Sequence, residues 1–166
     1  MKDIIIRTIK EEDLPAVVDI GIAGWRTAYQ GIIDSNYLNQ MNHDDQLKKK
    51  RKNYKDNSFI VAELDGQVVG FCRYRDTSPF SEADCELTAI YVKPDKKRNG
   101  IGRKLFEYVT NDFKHLGKTK MILWCLKENA PSRAFYETMG GTIVAEESVQ
   151  IGDKEYLEVG FLYSLN

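Results

Sequence analysis

The stretch Lys97-Arg98-Asn99-Gly100-Ile101-Gly102 constrains the fold more than any other. It joins a strand-like run, Leu87–Val92, to a segment whose apolar residues Leu105, Phe106, Val109 and Phe113 recur at helical spacing. Where a chain passes from strand to helix in this way, the first helix amides have no intrahelical partner and face outward with the positive end of the helix dipole. They form a ready anion site, and glycines at 100 and 102 let the backbone come close to the anion. A short apolar run, Met121–Leu126, follows the helix and suits a buried strand, so the region reads as a βαβ unit.

Two better-known phosphate loops fail here. A dinucleotide fingerprint needs a third glycine where Leu105 stands, and a Walker loop ends in Gly-Lys-Ser/Thr. Gly117-Lys118-Thr119 has that ending, but Asp112 stands where the upstream glycine is required, and the order there is helix then strand. It reads as an αβ loop.

Elsewhere, Ile4–Ile9 reads as a first strand, and Leu14, Val17, Val18, Ile22, Trp25 and Tyr29 form one apolar helical stripe ended by Gly31. Asp34 or Ser35 caps a second helix that carries Tyr37, Leu38, Met41 and Leu47 into the basic run Lys48–Lys52. Ser58–Leu64 and Val68–Tyr74 read as a hairpin turning at Asp65-Gly66, and a further strand covers roughly residues 84–92. Pro131 suits the first turn of a helix ended by Gly140-Gly141, and two runs, Thr142–Ile151 and Tyr156–Leu165, close the chain as a hairpin.

A length of 166 residues with 42% apolar content fits one domain, residues 1–166. The net charge of −1 gives no global field for nucleic acid or an anionic membrane, and the basic run reads as a solvated helix face. Cys72, Cys85 and Cys125 are odd in number and lack metal-ligand spacing, as do His43 and His115, so no metal is expected. Buried free thiols and the lack of a leader or spanning segment point to a cytoplasmic protein.

The glycine loop fits Q/R-x-x-G-x-G/A with Lys97 in the first position, and Asn129 to Gly140 resembles an N-x-x-A-x-x-F-Y-x-x-x-G helix. In that order and at that separation, the two motifs resemble the GCN5-related N-acetyltransferase (GNAT) family. The likeness runs over nearly the whole chain, weakening over residues 30–57. It implies an α/β fold: a mixed, mostly antiparallel sheet of about six to seven strands around a parallel βαβ core, with flanking helices. It also implies transfer of the acetyl group of acetyl-coenzyme A to a primary amine by direct attack in a ternary complex. A small acceptor such as a polyamine, an amino acid or an aminated antibiotic is favoured over a protein amine. Homodimers are common in the family. The alternative reading is a non-catalytic acyl-coenzyme A sensor or interaction module.

At neutral pH an alkyl amine is free base in only about one molecule per few thousand, so transfer needs a base. Glu86, on the strand before the loop, is the candidate, with burial near Leu87 and Ile90 raising its pKa; an edge-strand glutamate facing solvent is the equal alternative. By resemblance, Tyr136 protonates the departing thiolate, the other reading being a core aromatic. A strand bulge around Ala89–Val92 would turn the Ile90 amide toward the acyl oxygen. Tyr91 and Val92 would lie along the pantetheine arm, and Asn129 and Ser132 would contact the same arm, although Asn129 equally suits a helix cap. The backbone of Arg98, Asn99, Gly100, Ile101, Gly102, Arg103 and Lys104 is assigned to the pyrophosphate, with charge supplied by Lys97, Arg98, Arg103 and Lys104. Trp25, Tyr29, Tyr74 and Phe80 form a candidate aromatic wall for the amine beside Glu86, core packing being the alternative for Trp25 and Tyr29. Cys85 neighbours Glu86, but adjacent strand residues face opposite sides, so only one of them reaches the site.

Overall fold

The computed structural model describes residues 3–166. The β-branched and aromatic runs pair into one seven-stranded sheet: β1 (Ile4–Thr8), β2 (Ser58–Leu64), β3 (Gln67–Arg75), β4 (Cys85–Val92), β5 (Lys120–Leu126), β6 (Thr142–Ile151) and β7 (Lys154–Ser164), in the order β1-β2-β3-β4-β5-β7-β6. Every neighbouring pair is antiparallel except β4 and β5. The parallel pair is joined through helix α4 (Ile101–His115), which gives the expected βαβ unit. Asp65 (φ 54°) and Gly66 (φ 75°) turn the β2–β3 hairpin, positive φ at both positions being what a tight two-residue hairpin requires.

Alternation along the strands sends side chains to two cores. On one face α4 and α5 (Ala130–Thr138) pack Leu105, Phe106, Val109, Phe113 and Tyr136 onto Cys72, Leu87, Leu123 and Phe161. On the other, α1 (Leu14–Ala28) lays Val17 and Ile20 over Phe59, Val61 and Phe71. Each such large side chain, fully buried, contributes about 1.5–3 kcal/mol. Beside α1, Leu38 of α2 (Ser35–Asn39) closes a third cluster with Ile33, Leu126, Val149 and Tyr156. The three cysteines are buried and unpaired.

The expected second helix is two helices, α2 and α3 (His43–Asn53). Asp34 caps the first by accepting from the Asn36 amide, and Asn42 starts the second by accepting from the Asp45 amide. A side chain that competes for backbone donors breaks the helix at Asn42, although the apolar spacing runs through it. Lys48, Lys49, Arg51 and Lys52 of α3 are exposed, while Lys50 is turned partly inward.

Candidate active site

Pairing between β4 and β5 ends almost as soon as it begins. Only Cys85–Met121 and Glu86–Ile122 are in register, although β4 runs on to Val92 and β5 to Leu126. The strands part beyond that point and open a cleft of about 630 Å³. Its walls are Thr88–Val92 on β4 and Leu123–Cys125 on β5, with Gly24, Ala28 and Tyr29 above and Asn129, Pro131, Ser132, Phe135 and Tyr136 from α5. Its far end is the glycine loop, through Lys96, Lys97, Arg98 and the segment Gly100–Arg103. The unpaired edge of β4 offers backbone donors and acceptors to an extended ligand. A second hollow, of about 480 Å³, lies beside β3 at Ser58, Arg75 and Asp76, away from the loop.

The loop is shaped by two left-handed residues, Arg98 (φ 67°) and Gly100 (φ 78°), just before α4 begins at Ile101. Backbone of this kind gathers amides into an anion-binding concavity. Gly102 lies against Phe135, to whose ring an added Cβ would come within 3.4 Å, so the glycine lets α4 and α5 close on one another. Two expected members of the set do not join it. The Lys104 amide is taken by the Gly100 carbonyl at 3.1 Å, the first bond of the helix, and Lys104 does not line the cleft. Asn99 also lies off the cleft; its side chain donates to the carbonyls of Lys96 (3.0 Å) and Lys97 (3.4 Å) and braces the loop. Ile90, Tyr91, Val92, Lys97, Arg98, Gly100, Ile101, Gly102, Arg103, Asn129, Ser132 and Tyr136 all line the cleft. The Asn129 side chain accepts from the Ser132 amide at 3.4 Å, so it caps α5 while facing the cleft.

The strand bulge lies earlier than expected. Arg73 pairs with Ala89 and Tyr74 with Leu87, which leaves Thr88 as the extra residue. Its hydroxyl donates to the Arg73 carbonyl at 2.9 Å and holds the distortion in place. A bulge at Thr88 re-aims everything beyond it, so Ala89 and Tyr91 face α1 while Ile90 and Val92 face α4.

Tyr136 is 8% exposed, and among the described residues its hydroxyl has no hydrogen-bond partner. Burial holds the phenol well above its ordinary pKa, so it stays protonated and able to donate. Its carbonyl accepts from the Tyr163 hydroxyl at 2.8 Å. The Tyr163 ring fills the space beside Gly141, where an added Cβ would lie 2.6 Å from it. Glycine at 141 therefore lets Tyr163 steady the turn of chain that carries Tyr136.

Glu86 is 7% exposed and stands on a central strand, which rules out the solvent-facing edge. It sits at the last β4–β5 pair, at the root of the divergence and outside the residues that line the cleft. Burial raises its pKa and Arg75 opposes the rise, donating from Nη2 to Oε2 at 2.9 Å. Burial thus raises the pKa as expected, while Leu87 and Ile90 themselves pack on the α4 face. Cys85 lies in that same α4-side core, opposite Glu86.

Of the aromatic wall, only Tyr29 lines the cleft. Trp25 packs edge-on against Tyr29, with ring centres 4.9 Å apart. Phe80 meets Trp124 at 5.8 Å, and Trp124 lines the cleft. Tyr74 does not belong to this wall: it is 3% exposed in the α4-side core, donates to Asp112 at 2.8 Å and packs on Phe113. Sequence reasoning missed Trp124, whose place opposite Gly160 is set by the β5–β7 register. It also missed two carboxylates paired across β6 and β7, Glu147 and Glu158. Burial, then Glu147 and Glu86, push Glu158 up to about 7. No group of His, Cys, Asp and Glu suited to a metal occurs among the described residues, and no helix there is long and apolar enough to cross a membrane.

Residues 25–140 match the acetyltransferase (GNAT) family. The chain belongs to that family. An uncharacterized N-acetyltransferase of Bacillus subtilis, YuaI, is 30% identical over 93% of this chain and 90% of its own length. The spermidine N(1)-acetyltransferase of Thermoplasma acidophilum is 24% identical over 81% of this chain and 86% of its own. Among solved structures, YncA of Salmonella typhimurium with acetyl-coenzyme A superposes with a TM-score of 0.69 at 21% identity, over 98% of this chain and 94% of that one. The protein is thus an N-acetyltransferase of the GNAT family, with acetyl-coenzyme A as donor.

Proposed function

We propose that the protein acetylates the primary amine of a small molecule by direct attack, with donor and acceptor bound together. The observation that carries the reading is the early end of β4–β5 pairing. It opens a slot with an unpaired strand edge along one wall, an amide cradle at one end and the Tyr136 hydroxyl inside. The pyrophosphate of the donor matches the amides at Ile101–Arg103, with charge from Lys97, Arg98 and Arg103, and its pantetheine arm matches the β4 edge.

In the transfer, the amine nitrogen attacks the thioester carbon, and charge gathering on the carbonyl oxygen meets a β4 amide, that of Ile90. Glu86 takes the ammonium proton, through water given its place at the root of the divergence. The carbon–sulfur bond then breaks and the leaving thiolate takes the Tyr136 proton. A small acceptor is supported by the partly enclosed space beneath Tyr29 and beside Trp124 and by the likeness to a spermidine acetyltransferase. The test is thiol release from acetyl-coenzyme A across polyamines, amino acids, aminoglycosides and peptides. Release that depends on a small amine is expected. Coenzyme binding without release from any of them would favour a sensor, and release with peptides alone would overturn the small acceptor.

A further inference from the structure

Arg73 and Arg75 lie two apart on β3, so their side chains leave the same face of the sheet, the face that also carries Glu86 and Phe71. Their situations differ. Arg75 spends an Nη on Glu86, whereas Arg73 makes no ion pair or side-chain hydrogen bond among the described residues. The Nε of each is buried without a partner. Lys50, half-buried on α3, comes close enough to Arg73 that burial first, and the Arg73 charge second, lower its pKa. The Arg73 guanidinium is thus a cation without an acid partner among the described residues, with a buried Nε–H left unbonded, an arrangement that costs stability unless an anion completes it.

The place matters as much as the charge. Arg73 stands opposite Ala89, a residue of the cleft wall, and next to the Thr88 bulge; Arg75 stands opposite Glu86. Arg73 and Glu86 are therefore separated by about one strand spacing across the sheet and two residues along it, roughly 5 Å and 7 Å, a span that two long side chains close onto a small zwitterion.

We propose that the acceptor is an amino acid, its carboxylate held by Arg73 with Lys50 while its amine turns toward Glu86. The inference rests on the acetyl-transfer reading above and names its acceptor. A guanidinium fork matches a planar carboxylate in two parallel bonds, which a point charge does not. The competing acceptor is a polyamine, drawn by Glu86, Glu147 and Glu158. On this face of the sheet a further cation of a polyamine would be set beside the positive charge of Arg73.

The experiment compares amino acids with the amines that lack only their carboxylate, leucine against isoamylamine and phenylalanine against phenethylamine, together with spermidine. The wild-type enzyme is expected to favour the amino acid of each pair by about tenfold to a hundredfold in kcat/KM, the range for charge-assisted hydrogen bonds. Arg73→Met should bring that ratio close to one through KM, Arg73→Lys should restore part of it, and Lys50→Met should lower it independently if Arg73→Met folds poorly. Equal or better use of the carboxylate-free amines or of spermidine would overturn the inference. So would a ratio that survives both Arg73→Met and Lys50→Met. Absence of thiol release with every amine, while acetyl-coenzyme A still binds, would overturn the transfer reading itself.

Discussion

Removing one oxygen atom separates chemistry from architecture at Tyr136. Tyr136→Phe keeps the ring, which packs 5.5 Å from Phe135 and 5.7 Å from Phe161, and keeps the carbonyl that accepts from Tyr163. The lost hydroxyl is buried with no partner among the described residues, so its removal gives up no hydrogen bond and should not lower stability. A positioned general acid contributes about 10²–10⁴-fold, so kcat should fall at least a hundredfold, about 2.7 kcal/mol of barrier. Acetyl-coenzyme A affinity should stay within a factor of two or so, since the coenzyme is held by backbone and loop. The assays are steady-state thiol release, calorimetric titration with the coenzyme and thermal unfolding on the same preparation. Turnover within threefold of wild type would refute the role of the hydroxyl as acid. A fall in turnover matched by loss of the fold would refute the separation itself. Tyr136→Ala cannot serve instead, because deleting a ring this well buried costs about 3–5 kcal/mol in packing.

Glu86→Gln should lower kcat/KM by roughly 10²-fold and remove the lower inflection of its pH profile, because a base acts only above its pKa, and burial has raised that of Glu86, while the rise from the amine's own deprotonation remains; the pH–rate profile of the two proteins decides this. Gly100→Ala should cost about 1–2 kcal/mol of folding stability in left-handed strain alone, since no atom lies within 4 Å of the added Cβ, a loss that denaturant unfolding reads. Asp13→Asn should destabilise the fold by about 2 kcal/mol, because Arg7 donates to both carboxylate oxygens, at 2.7 and 2.9 Å. Arg7 holds the Asp13 pKa below its ordinary value, so that contribution is complete above the unfolded-state value near 3.9 and is lost as pH falls through the lower folded value; denaturant melts across acid pH should show the wild-type advantage vanish there.

The parts of the fold legible in the sequence were those fixed by local chemistry. The glycine loop, the Asp65-Gly66 turn and the cap before Pro131 each depend on residues next to one another. What stayed hidden depends on register. Tyr74 carries the right chemistry for an aromatic wall, but the alternation of β3 sends it with Cys72 to the α4 face, and which face of β3 meets α4 is set by packing of distant segments. Trp124 is set opposite Gly160, and Glu147 opposite Glu158, only because β6 and β7 return beside β5, a pairing of distant segments. Asn99 and Lys104 lie within the correct motif, yet one braces the loop and the other closes the first helical turn, a division that spacing cannot reveal. Asn42 was readable as a cap, and the apolar pattern running through it outweighed the signal.

The central claim is that the amine takes the acetyl group directly from the coenzyme in the cleft between β4 and β5. Cys125 is the cysteine among the residues that line that cleft, but burial pushes its pKa up to about 11 and leaves it a neutral thiol. The most direct test is the intact mass of the protein after incubation with acetyl-coenzyme A alone, followed by addition of the amine. The account predicts an unmodified protein, with acetylated amine formed only when all three are present. A protein that gains an acetyl group on Cys125 and passes it to an amine after the coenzyme is removed would contradict it.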